Sequence, residues 1–66
     1  MGRTITEYIN ELRLDTARRL LIDTDLPVAQ VSGRSGFANL SWFNRCFRER
    51  EGLSPTRYRR QFRPPL

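Results

Sequence analysis

Two glycines and a Ser-Pro pair divide the second half of this chain into short pieces of fixed length. The run between Gly36 and Gly52 opens Gly36-Phe37-Ala38-Asn39. It continues Leu40-Ser41-Trp42-Phe43-Asn44-Arg45-Cys46-Phe47. Asn39 is a good N-cap, because its side-chain oxygen can accept from a free N–H in the first turn. Gly52 is a stop, because glycine enters the left-handed conformation at little steric cost. Ser54 then caps a new helix and Pro55 opens it, where a missing N–H costs nothing. A helix from about 40 to 50 is predicted between these stops. Leu40, Phe43, Cys46 and Phe47 fall on one side of it, and Ser41, Asn44, Arg45 and Arg48 on the other.

Three further helices are predicted and no strand. Helix one runs from about Ile5 to Ile22, with Thr4 and Glu7 at the spacing of a capping box. Ile5, Tyr8, Ile9 and Leu12 begin an apolar stripe that Ala17, Leu20 and Leu21 continue. Arg18 and Arg19 lie outside that stripe, near the C-terminal end where positive charge suits the helix dipole. Glu7, Glu11 and Asp15 read as a solvated acidic face. Helix two is short, about Pro27 to Ser35, with Val28, Val31 and Ser32 inward. Gly33 inside it costs about 1 kcal/mol relative to Ala, which predicts a short or frayed helix. Helix four places Tyr58 and Phe62 inward and ends at Pro64-Pro65. The expected core is Leu20, Leu21, Val31, Phe37, Phe43, Phe47 and Tyr58.

Sixty-six residues make one small domain, 1–66. A chain of this size buries only about 60% of its unfolded surface. Its one cysteine, Cys46, cannot form an internal disulfide and reads as a small core residue. A lone thiol fits a reducing, cytoplasmic setting. No stretch approaches the roughly 18 apolar residues of a membrane span. There is no His, no metal-ligand cluster and no phosphate-cradling glycine loop, so neither enzyme nor cofactor is expected. Net charge is +5, and all 12 basic residues are Arg. Guanidinium forks bind phosphate and guanine edges bidentately, so the balance favours a nucleic-acid partner.

A short helix, a glycine turn and an amphipathic second helix form a helix-turn-helix. Residues 4 to 60 resemble the C-terminal half of the DNA-binding region of AraC/XylS-type transcriptional regulators. Thr4-Ile5, Tyr8-Ile9, Leu12-Arg13-Leu14, Ala17 and Leu20-Leu21 resemble the end of the family's first unit and its linker helix. Val28-Ala29-x-Val31 through Gly36-Phe37 resembles the support helix of the second unit. Phe43-x-Arg45-x-Phe47-Arg48 resembles its recognition helix, and Gly52-Leu53-Ser54-Pro55-x-x-Tyr58-Arg59 its closing signature. Ser32 departs from the usual small apolar residue. The resemblance implies an all-α, four-helix, homeodomain-like fold and sequence-specific binding to double-stranded DNA. It also implies a fragment, because the family's first helix-turn-helix and its ligand-sensing or dimerisation domain have no counterpart in the chain.

The resemblance implies base-facing positions at Leu40, Ser41, Trp42 and Arg45, and backbone contacts from the start of helix two and from Arg48. The outward pattern adds Asn44. Leu40 either touches a thymine methyl or packs inward. Trp42 either faces the bases or packs on the support helix. Arg45 either contacts guanine or pairs with Glu49 at the solvated surface. Arg13 is expected to partner an acidic residue. Arg57, Arg59, Arg60 and Arg63 form a basic run, either solvated or near phosphate. An alternative function is a protein-interaction module, with RNA polymerase as the candidate partner. No membrane and no small-molecule ligand are expected.

Overall fold

The computed structural model describes residues 4–63, which form four α-helices. These are α1 (Ile5–Asp23), α2 (Val28–Arg34), α3 (Leu40–Glu51) and α4 (Pro55–Phe62). Three of the four starts are fixed by local side-chain chemistry. Thr4 and Glu7 form the reciprocal capping box: Glu7 N donates to Thr4 Oγ1 at 3.0 Å, and Thr4 N donates to Glu7 Oε1 at 2.9 Å. Asn39 Oδ1 accepts from Trp42 N at 2.7 Å. Ser54 Oγ accepts from Arg57 N at 3.2 Å. Each such cap stabilises its helix by about 1 kcal/mol. Pro27 is the N-cap of α2 rather than its first residue, and it makes no side-chain cap. The Pro64-Pro65 stop lies outside the described residues.

The turn between α2 and α3 is built on Gly36, whose φ is +97°. Phe37 N donates back to Ser32 O at 3.1 Å, and Gly36 N to Gly33 O at 3.1 Å. These bonds satisfy carbonyls left free at the helix end. A side chain at Gly36 would also meet Arg13, whose Nε lies 3.2 Å from the Cβ position. Arg13 therefore covers the turn. It makes no ion pair among the described residues, contrary to the expected acidic partner. Helix α2 continues through Gly33 to Arg34 and is short, at 7 residues.

The core is Leu14, Ala17, Leu21, Val31, Phe37, Phe43 and Phe47. An aromatic ladder links the turn to α4. Phe37 meets Phe43 with ring centroids 5.0 Å apart, Phe43 meets Phe47 at 5.7 Å, and Phe47 meets Tyr58 edge-on at 5.2 Å. These are the tilted and T-shaped geometries that aromatic quadrupoles prefer. The ladder fixes the rotation of α3, so the opposite face must point to solvent.

Several expectations about the core are corrected. Leu14, not expected there, is buried. Ile5, Tyr8, Ile9 and Leu12, which lay outside the expected core, are exposed. The inward face of α1 is Leu14, Ala17 and Leu21, at i, i+3 and i+7. Leu20, Cys46 and Tyr58 are half-buried against the core rather than part of it. Phe62 is exposed, though its ring rests 4.8 Å from that of Tyr58. The acidic residues of α1 are not a free solvated face. Glu11 pairs with Arg50, and Asp15 pairs with Arg18. Arg18 also donates to Glu51 at 2.5 Å, so α1 and α3 are tied by ion pairs.

Candidate nucleic-acid interface

Helix α3 has two unlike faces. Phe43 and Phe47 have no solvent exposure, whereas the Arg45 side chain is 70% exposed. All six residues singled out on α3, Leu40, Ser41, Trp42, Asn44, Arg45 and Arg48, are exposed. Leu40 does not pack inward, and Trp42 is not buried against α2. Ser41, Arg45 and Arg48 stand at i, i+4 and i+7, which places them on one face. Asn44, Arg45, Arg48 and Glu49 line one open recess of about 540 Å³.

Arg45 Nε lies 3.7 Å from Glu49 Oε2, and both side chains are 70% exposed. Such an exposed pair contributes about 0.3–0.5 kcal/mol, too little to hold the guanidinium against a better acceptor. Arg48 has no ion pair among the described residues. Arg48 also lines a second recess of about 320 Å³, with Gly52, Leu53, Ser54 and Arg57, where α3 ends and α4 begins. The Cys46 thiol is pushed above its ordinary pKa, first by burial and then by Glu49, with Arg45 opposing. It is therefore a protonated, weakly nucleophilic side chain at neutral pH.

The basic run of α4 separates into different roles. Arg59 Nε donates to Leu21 O at 2.9 Å, and its Nη2 donates to Thr24 O at 3.2 Å. Arg59 is thus half-buried and engaged by backbone carbonyls rather than freely solvated. It serves carbonyls at the end of α1, where helix carbonyls have no intrahelical partner. Arg63 pairs with Asp25 at 2.6 Å. Arg57 and Arg60 remain exposed. No spacing rule in the sequence separates Arg59 from its neighbours, because its acceptors lie 38 and 35 residues away.

The model of a helix-turn-helix domain family matches residues 1–61. The chain belongs to the AraC/XylS-type helix-turn-helix family. It is 45% identical over 60 residues to the transcriptional activator NphR of Rhodococcus, a match covering 91% of this chain and 18% of NphR. It is 52% identical over 56 residues to the HTH-type transcriptional regulator CdhR of Pseudomonas aeruginosa, covering 85% of this chain and 17% of CdhR. It is 41% identical over 58 residues to the probable transcriptional regulator LumQ of Photobacterium leiognathi, covering 88% of this chain and 23% of LumQ. The chain thus spans about a fifth of the length of these curated relatives. No solved structure matches it significantly. The chain's α2, glycine turn and α3 form the helix-turn-helix of this family. Among the described residues, no helix is long and apolar enough to cross a membrane.

Proposed function

We propose that α3 enters the major groove of double-stranded DNA and reads sequence there for a transcriptional regulator. The observation that carries this reading is the split of α3. Its rear is locked by fully buried Phe43 and Phe47, and its front presents exposed polar and basic groups. A groove about 12 Å wide admits a helix with such a front. Arg45, held only by an exposed pair with Glu49, can turn both fork nitrogens to guanine O6 and N7. Asn44 and Ser41 supply further hydrogen-bonding groups, and Leu40 and Trp42 offer apolar contact to a thymine methyl. Arg48, farther along α3, reaches the strand backbone.

The chain acts by binding rather than by catalysis, as a single domain that touches one groove segment. A DNA partner places it in the bacterial cytoplasm. RNA polymerase is a candidate further partner. Phosphate contacts release counterions, so binding must weaken steeply with salt. The test is a fluorescence titration with duplex DNA at several salt concentrations. If about three to five phosphates are contacted, log K falls with log salt at a slope of roughly −3 to −4.5. A flat salt response contradicts the reading.

A further inference from the structure

We propose that Arg48 and Arg57 together hold one DNA phosphate in the recess between the end of α3 and the start of α4. This rests on the major-groove reading of α3 and adds to it a second element, α4, as part of the DNA contact. The recess is about 320 Å³ and is lined by Arg48, Gly52, Leu53, Ser54 and Arg57. None of these residues is acidic. Arg18, Arg50, Arg59 and Arg63 all have carboxylate or carbonyl partners. Arg48 and Arg57, by contrast, have no ion pair among the described residues, and both are exposed. Two like charges that line one recess repel each other, and an anion between them removes that cost. Guanidinium forks match phosphate geometry bidentately.

The remaining wall suits the same ligand. A Cβ at Gly52 would meet nothing within 4 Å, so the mouth is open there. Ser54 Oγ accepts from Arg57 N, which leaves its own O–H free to donate. Arg48 is also the link to the front of α3, because it lines the recess with Asn44 and Arg45 as well. A strand leaving the bases read by Arg45 would pass Arg48 and arrive at Arg57. That adjacency favours a backbone phosphodiester as the occupant.

The test compares the unsubstituted chain with Arg48→Gln, Arg57→Gln and the double variant, on a selected duplex and on random duplex. Arg57→Gln is expected to weaken binding roughly tenfold on both, with the preference between them unchanged. The double variant is expected to lower the salt slope by about 0.9 in total, the value for one phosphate. A loss of about 1.8 means two separate phosphates and overturns the shared site. An Arg57→Gln variant that binds as the unsubstituted chain does overturns it too. On the unsubstituted chain, the Arg48 and Arg57 Nε–H signals should shift together during an NMR titration with duplex. A stationary Arg57 signal in DNA-bound protein contradicts the site while leaving the reading of α3 intact. No salt-dependent binding by the unsubstituted chain overturns that reading, and this site with it.

Discussion

Arg59 reaches back across the fold and donates its Nε–H to the carbonyl oxygen of Leu21 at 2.9 Å. Leu21 is fully buried in the last turns of α1, and Arg59 lies in the middle of α4. One guanidinium thus joins α4 to the C-terminal end of α1, serving Thr24 O as well at 3.2 Å. Tyr58, beside it, carries the same helix onto Phe47. Helix α4 is therefore a buttress for α3, pinned to α1 by Arg59.

Removing that guanidinium leaves carbonyls in a partly buried place without their donor. Arg59→Ala should lower stability by about 2 kcal/mol, the scale of a charge-assisted hydrogen bond. Arg59→Lys should recover only part of it, because one ammonium lacks the planar fork that reaches both oxygens. Urea unfolding followed by circular dichroism measures both. An unchanged midpoint for Arg59→Ala would show that the clamp is energetically idle.

Gly33 and Gly36 should respond to alanine with opposite signs. At Gly33 the backbone is helical, φ is not positive, and a Cβ meets nothing within 4 Å. Gly33→Ala should stabilise by roughly 0.5–1 kcal/mol through helix propensity. At Gly36 the φ of +97° and the nearby Arg13 side chain both oppose a Cβ. Gly36→Ala should cost about 1–2 kcal/mol. Thermal melting of the two variants decides it, and a shift in the same direction for both contradicts the turn geometry.

The first turns of α1 should be the least protected part of the fold. Residues 4–9 are all exposed, and the first buried residue of the helix is Leu14. Amide exchange in the dilute chain should be fast at Ile9 and slowest near Phe47, in line with local contact density. Equal protection at Ile9 and Phe47 would mean that something covers the apolar residues Ile5, Tyr8, Ile9 and Leu12.

Local chemistry was legible in the sequence, and long-range geometry was not. Thr4, Asn39, Gly52 and Ser54 announced the ends of three helices because capping depends on neighbours within a few residues. Phe43 and Phe47 announced the rear of α3 through helical spacing, and so its exposed front. In α1 the same reasoning missed Leu14, which is buried. Periodicity finds an apolar face, but only the packing partner decides which part is covered. Ile5, Tyr8 and Ile9 are exposed, whereas Leu14 is part of the core. The arginines were unreadable one by one. Arg18, Arg50 and Arg59 find partners 33 to 39 positions away in the chain, set by how the helices pack.

The most direct test of the account compares Arg45→Ala with Arg48→Ala on two DNAs. One is a duplex selected from a randomised pool by the unsubstituted chain, and the other is random duplex. Arg45 lies on the side of α3 opposite Phe43 and Phe47, the side proposed to enter the groove, so its loss should cost about 1–3 kcal/mol on the selected duplex and little on random DNA. Arg48→Ala should weaken both about equally, because a phosphate carries no sequence information. If both substitutions weaken selected and random duplex alike, α3 is an electrostatic surface and does not read sequence.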